Sequence, residues 1–397
     1  MANYKYKSLR GESKPVFYNG FFHKQISLFE GTALIVSGTI GAGVLGIPFV
    51  IAKVGVFLGV LYIVFIGFLM MALNLLIGSV ASRSRQTMQL VGLAGKYLGR
   101  TGKFVMMIFL YLLLWGVLTV YLIGEGEVLS AVFGGSKFFW STIFFVFATL
   151  LIYIGIKTIK VVEMVLTLGI LAVVLILTLY SAPHIQTLHL QHIDWASSFL
   201  PYGVLLFAFH GTTAVPEAYS ILINKESTFK KAIISAGLIS IAVYLVFAVV
   251  VVGVTGLSTS EIATIALGEK LGVKIFLLGN LFAVLAMGTS CLMAGLALRD
   301  SLKWDFKVSR GLATILVCGV PYLIYIFGLR GFIKAIDLVG GVFMGVEILL
   351  ILFIYWRAKQ IGDLERGRYR LHHATLLFIL LLLVLSFGAV YSVIKFF

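Results

Sequence analysis

The chain of 397 residues is 60% apolar and only 12% charged, with a mean hydropathy of +1.08. A water-soluble domain is nearer half apolar and a quarter charged, so a soluble globular protein and a disordered one are both excluded. Two cysteines, Cys291 and Cys318, both inside apolar runs, exclude a disulfide scaffold and a cysteine-rich metal protein, and the net charge of +15 reads as loop charge of a membrane protein, not as a nucleic-acid surface.

A spanning helix takes about 20 mostly apolar residues. Eleven such segments are expected, at 28–52, 54–80, 103–132, 138–156, 161–182, 196–222, 230–256, 273–300, 311–329, 332–356 and 372–394. The tail 1–27 carries five Lys/Arg and no long apolar run, so no cleavable signal peptide is expected. With the N-terminus in the cytoplasm, 24 of the 31 Lys and Arg fall inside and 7 outside, alternating with almost every loop. The expectation is a multi-pass protein of a prokaryotic inner membrane, N-terminus cytoplasmic and C-terminus outside. The sequence carries no signal of oligomeric state. Between the spans, Arg83 to Arg100 reads as a short amphipathic helix with Met88, Leu90, Leu93 and Leu98 on its apolar side. Ser258 and Glu261 have the spacing of a capping box that opens a helix over an external vestibule.

Two segments are dense in helix breakers. In the first, Gly38, Gly41, Gly43, Gly46 and Pro48 lie within 38–48; in the second, Gly211 and Pro216 lie within 207–217. These are the first and sixth helices. Five helices apart, they run in opposite directions, as an inverted repeat of five plus five requires. That divides the chain into repeats at 28–182 and 196–356, with an eleventh helix at 372–394. Glycines can also merely permit close packing, as Gly341 and Gly345 are read to do in helix ten. Broken helices are tolerated in a membrane only where they line a cavity. Half-helix N-termini suit a carboxylate, and unwound carbonyls suit an amine or a cation; an amino acid zwitterion carries both groups.

The expected substrate contacts are Ser37, Gly38, Thr39, Gly41, Ala42 and Gly43 in the first break and Phe207, Phe209, His210, Gly211 and Thr212 in the second. Trp115 and Thr119 of helix three and Phe282 and Met287 of helix eight lie at the same depth. An aromatic-rich pocket favours a large neutral side chain, aromatic or branched. Gly38, Gly43 and Gly211 are expected to act as hinges in alternating access. No H-E-x-x-H, G-x-S-x-G or P-loop is present, so an enzyme is not expected. His184, His189, His192 and Asp194 have spacings that would allow a metal site, but a solvated loop is the expectation.

The fragment G-T-I-G-A-G-V-L-G-I-P at 38–48 resembles the first-helix motif of the amino acid/auxin permeases and the bacterial aromatic amino acid permeases. F-A-F-H-G-T-T-A-V-P-E at 207–217 resembles their sixth-helix motif, and 282–302 is similar to the eighth helix of the aromatic permeases. The resemblance implies an all-α membrane protein of the leucine-transporter type and secondary active transport of amino acids without a cofactor. In sodium-coupled members of that fold an A-x-x-T-S pattern on helix eight holds the ion. It matches Ala286, Thr289 and Ser290 here, completed by the carbonyls of Ser37 and Ile40. The alternative coupling ion is the proton, for which His210, Glu217 and Glu125 are candidates; Glu127, Asp337 and Glu347 are further acids within the helices. Helix five carries no interior lysine of the kind some proton-coupled relatives use. Glu217 is expected to gate with Arg83 or Lys24. A channel and a transport-dead amino acid sensor are the remaining alternatives.

Overall fold

The computed structural model describes residues 21–83, 88–155, 160–222, 225–361 and 374–396. The basic residues Lys5, Lys7, Arg10, Lys14, Arg85, Lys157, Arg366, Arg368 and Arg370 lie outside them, as does the side chain of Lys24. In chain order the helices are α1 (Phe21–Thr39), α2 (Gly43–Val54), α3 (Val56–Arg83), α4 (Leu90–Phe133), α5 (Lys137–Ile154), α6 (Lys160–Ser181), α7 (Pro201–Ala208) and α8 (Ala214–Ile221). They continue with α9 (Glu226–Thr255), α10 (Ala263–Leu271), α11 (Val273–Phe306), α12 (Arg310–Ile326), α13 (Phe332–Leu338), α14 (Gly345–Gln360) and α15 (Ala374–Phe396). The described residues contain no strand. Each of the eleven expected segments falls on one helix or one broken pair. Among the described residues six helices are long and apolar enough to cross a membrane, and the bent pair α1–α2 makes a seventh.

The helices group by contact. α1, α2, α3, α7, α8 and α9 pack on one another, and α4, α5, α11 and α12 do the same. On the outside, Phe57, Leu61, Phe65 and Phe68 form an exposed apolar stripe along α3, and Phe139, Ile143, Phe147 and Leu150 form another along α5. Such stripes suit hydrocarbon.

Local chemistry explains several boundaries. Gly99, at φ 73°, splits α4. The part before it is the expected amphipathic helix: Leu90 and Leu93 are buried, while Met88 and Leu98 pack half-buried against the core. Ser136 accepts a hydrogen bond from the Phe139 amide at 3.2 Å to begin α5, and Gly155 ends it in the left-handed region. Arg299 of α11 and Arg310 of α12 then donate to the carbonyls of Ile152 and Ile154, so two guanidinium groups cap the end of α5. The capping box does not form. Ser258 donates to Thr255 O, while Ser260 takes its role by accepting from the Ala266 amide at 3.0 Å. Glu261 instead accepts from the Ile333 amide at 3.0 Å, which ties the segment before α10 to the start of α13.

The tenth span holds a feature without a sequence signature, a π-helical segment at Val339–Met344 between α13 and α14. There the chain approaches α7 backbone to backbone. A Cβ on Gly340 would overlap the Gly203 carbonyl and lie 3.0 Å from the Phe207 amide nitrogen. The close approach is thus at Gly340, which precedes both glycines singled out in the sequence, Gly341 and Gly345. Gly340→Ala is expected to destabilise the protein by about 1–3 kcal/mol through overpacking, read as a lowered midpoint of thermal unfolding in detergent.

Candidate functional site

The first break spans Ile40 to Ala42, and α1 and α2 meet there at 59°. Ile40 still donates to Val36 O at 2.7 Å, and regular bonding restarts with Val44 to Gly41 O at 3.3 Å and Leu45 to Ala42 O at 3.0 Å. Between them the amides of Gly41, Ala42 and Gly43 have no backbone acceptor among the described residues. The second break, Phe209 to Thr213, repeats the pattern. His210 donates to Phe207 O at 3.3 Å and Ala214 to Gly211 O at 3.1 Å.

The four half-helices pair crosswise. A Cβ on Gly38 would lie 2.6 Å from Ala214 Cβ, so the end of α1 touches the start of α8; a Cβ on Gly43 would lie 2.5 Å from Ala208 Cα, so the start of α2 touches the end of α7. Small residues on both sides let the backbones close in. Gly38, Gly43 and Gly211 are points of close contact in this conformation. None of them has a positive φ, and a Cβ on Gly211 would overlap the Thr39 hydroxyl.

Buried polar side chains bind the freed backbone. The Tyr244 hydroxyl, on α9, lies 3.0 Å from Thr39 O and 2.7 Å from Ala208 O, the last carbonyls of α1 and α7. Phe209 packs edge-on against its ring at 4.8 Å. On the other side of the second break, Glu347 of α14 is fully buried. It takes His210 Nε2 at 2.8 Å and the Thr212 hydroxyl at 3.0 Å, one on each oxygen. Asn74 of α3 is buried near Gly211, and its Oδ1 has no hydrogen-bond partner among the described residues.

Gly41 differs from its neighbours. A Cβ there would meet nothing closer than Ser290 Oγ and Tyr121 OH, each at 3.9 Å. The hydroxyls of Tyr121 on α4 and Ser290 on α11 therefore both lie beside Gly41 in the first break. Met287 forms the neighbouring wall: it is buried, with its sulfur against Gly124, and the Phe332 ring approaches the same glycine.

The remaining expected residues sort as follows. Ser37 lies in the last turn of α1, Ile40 is the first residue of the break, and Ala286 is buried on α11. The Thr289 hydroxyl donates to Leu285 O at 2.7 Å and approaches Ala286 O at 3.3 Å, so its proton is directed along its own helix. Phe207 and Phe282 are buried. Trp115 is a correction: its indole donates to Leu316 O at 3.1 Å, toward α12 and away from the breaks. Thr119 bonds back to Trp115 O at 2.8 Å. Glu217 lies half-buried in the first turn of α8, where a helix dipole favours an acid. Arg83 pairs with Glu226 at 3.8 Å.

The histidine-rich loop serves as helix caps. His192 Nε2 lies 3.1 Å from Lys53 O at the end of α2, and His189 Nδ1 lies 2.9 Å from Gly253 O near the end of α9. Hydrogen bonds from the Ser197 hydroxyl and the Ala196 amide hold the Asp194 carboxyl below its ordinary range. No three His, Cys, Asp or Glu side chains among the described residues are placed to hold a metal ion.

Tyr121 and Tyr244 were not singled out in the sequence. Each is a polar-tipped ring inside an apolar run, and a buried phenol has to find a partner. That was the available signal.

Two helices interrupted within an apolar bundle are the arrangement seen where a membrane protein binds a solute between its repeats. The tryptophan/tyrosine permease family profile matches residues 24–394, and the chain belongs to that family. Among its relatives are glutamine transporter 2 of Aliivibrio fischeri, 25% identical over 89% of this chain and 98% of that one, and tyrosine-specific transport system 2 of Haemophilus influenzae, 27% identical over 83% and 87%. The crystal structure of MhsT in complex with L-phenylalanine superposes with a TM-score of 0.68 at 15% identity, covering 92% of this chain and 98% of that one. The fold is therefore of the leucine-transporter type, and the protein is a multi-pass amino acid transporter and not an enzyme.

Two outcomes are expected from the site geometry. Tyr244→Phe leaves two buried carbonyls short of a donor and costs about 1–3 kcal/mol, measured by denaturant or thermal unfolding in detergent. Glu347→Ala removes one member of a buried pair and costs about 3–5 kcal/mol by the same assay.

Proposed function

We propose that the protein is a symporter of neutral amino acids with aromatic or branched side chains, driven by sodium and working by alternating access. The observation that carries this reading is the first break, where the amides of Gly41, Ala42 and Gly43 have no backbone acceptor among the described residues and the Tyr121 and Ser290 hydroxyls lie beside Gly41. The amides receive the substrate carboxylate, and freed carbonyls receive its ammonium. The ion is held by the carbonyls of Ser37, Ile40 and Ala286 and the hydroxyls of Thr289 and Ser290. The back-bonded Thr289 hydroxyl still offers its lone pairs to a cation. Two relatives transport tyrosine and one glutamine by name, and the structural neighbour holds L-phenylalanine; all three are neutral amino acids. The crosswise contacts of Gly38 with Ala214 and Gly43 with Ala208 support two inverted repeats at 28–182 and 196–356. The basic end faces the cytoplasm of a prokaryotic cell, with the N-terminus inside and the C-terminus outside.

In proteoliposomes, uptake is expected to follow an inward sodium gradient. Thr289→Ala is expected to reduce it at least tenfold, equivalent to about 1.4 kcal/mol. Equal uptake driven by a proton gradient in sodium-free buffer would reverse the choice of ion. Gly41→Val is expected to abolish substrate binding while the protein still folds, since its Cβ has room. Competition of tritiated L-tyrosine with the other common amino acids reads the substrate class.

The proton is the second reading, favoured by the buried His210–Glu347 pair inside the second break. Sodium-independent uptake that is lost in His210→Gln would support it.

A further inference from the structure

The bundle carries an apolar crevice that the transport scheme does not use. It lies between α4, α5, α11 and α12 and encloses about 290 Å³ of empty space, part of it open to the surroundings. Its walls include Leu118 and Leu122 of α4, Phe145 and Ile152 of α5, Cys291 of α11 and Val317 of α12, and no charged group among the described residues lines it. Phe145 and Thr149 on the α5 wall are only half-buried, so the crevice is reached from the outside of the bundle. The surface around it is apolar as well: Phe147 and Leu150 of α5 and Leu312 and Ile315 of α12 are exposed. An amino acid zwitterion would lose its hydration there and find nothing to bond, whereas a hydrocarbon chain gives up no hydrogen bonds on entering.

Cations gather at one end of it. Ile152, on the crevice wall, gives its carbonyl to Arg299, and Ile154, two residues on, gives its carbonyl to Arg310. Arg310 is exposed, and its guanidinium lies over the Tyr153 ring at 5.0 Å. Lys303 and Lys307 follow Arg299 at intervals of four, the spacing that keeps side chains on one side of a helix. The segment 299–310 carries four Lys/Arg against two acids, Asp300 and Asp305. Asp300 holds Arg299 at 2.7 Å, so the excess of two positive charges falls among Lys303, Lys307 and Arg310. Arg310 stands seven residues before Val317, about 10 Å along α12 from the crevice wall. That is a step from a charged head to the chain it carries.

We infer that this crevice and its basic rim hold an anionic phospholipid, with one acyl chain in the crevice and the phosphate against Arg310 and the two lysines. Basic groups at the edge of the hydrocarbon attract anionic headgroups, and an apolar cleft beside them fixes where the chain goes. Neither half explains the other alone: a free phosphate has no use for the crevice, and a neutral lipid has none for the rim. The crevice also backs the candidate site. Tyr121 lies between Leu118 and Leu122 on α4, and Ser290 precedes Cys291 on α11, while both hydroxyls lie beside Gly41 on the other side. A chain in the crevice therefore packs behind the two helices that carry those hydroxyls. The inference goes beyond the transport reading and depends neither on the solute nor on the coupling ion.

Native mass spectrometry of the full chain in detergent provides the test. The probes are phosphatidylglycerol and phosphatidylcholine with the same acyl chains, and glycerol 3-phosphate as a head without a chain. The wild type is expected to retain phosphatidylglycerol at least about tenfold more tightly than phosphatidylcholine, with the preference shrinking as salt is raised. Glycerol 3-phosphate is expected not to displace it. The double variant Lys303→Gln, Lys307→Gln, which spares both arginine caps of α5, is expected to weaken phosphatidylglycerol at least about tenfold and leave phosphatidylcholine unchanged. Thr149→Leu, which adds bulk to the α5 wall, is expected to weaken both lipids. Equal retention of the two lipids by the wild type would overturn the inference without any variant having to fold. Tight binding of glycerol 3-phosphate would make the rim a plain phosphate site and overturn the lipid. A lipid-free dimer would give the crevice to a second copy of the chain, with the same result. Phosphatidylglycerol retained as well by both variants as by the wild type would place the lipid elsewhere and also overturn the assignment.

Discussion

A peptide group at the depth of the hydrocarbon has to be bonded within the protein. Everything specific about this molecule follows from how that demand is met where two helices are interrupted. The last carbonyls of α1 and α7 meet the Tyr244 hydroxyl, and the second break is fastened to α14 through Glu347. Beside these bonds, the amides of Gly41, Ala42 and Gly43 have no backbone acceptor among the described residues, and an added side chain at Gly41 would meet Ser290 Oγ and Tyr121 OH only at ordinary contact distance.

The crosswise packing has the same economy. Each half-helix of one break touches the opposite half of the other, through glycine on one side and alanine on the other. A side chain on Gly38 or Gly43 would overlap the opposite half-helix, so the absence of one is what lets α1 meet α8 and α2 meet α7.

Much of this was legible in the chain and some was not, for physical reasons. Hydropathy located the helices because lipid demands long apolar runs, and Gly and Pro marked the breaks because they are the residues that interrupt helical bonding. Azimuth was not legible. Trp115 lies on a helix that passes the site, yet its indole turns to α12. Depth along a helix does not tell which way a side chain faces. Partners remote in sequence were equally hidden: Tyr244 reaches Thr39 across 205 positions, and His210 reaches Glu347 across 137. The π segment at Val339–Met344 is a response to close packing against α7, a tertiary cause that no local pattern announces. The histidine loop shows the converse. Its spacing allowed a metal site, and the structure uses two of its rings to close helix ends.

Tyr244 carries a single hydroxyl hydrogen and stands between two acceptors. At any instant only one of the carbonyls can receive it fully. Which one does is decided by a rotation about the phenolic C–O bond, with no heavy atom displaced. The junction of the two interrupted rods therefore holds a choice of two states that costs almost nothing to exchange, set at the point where the halves of the molecule meet.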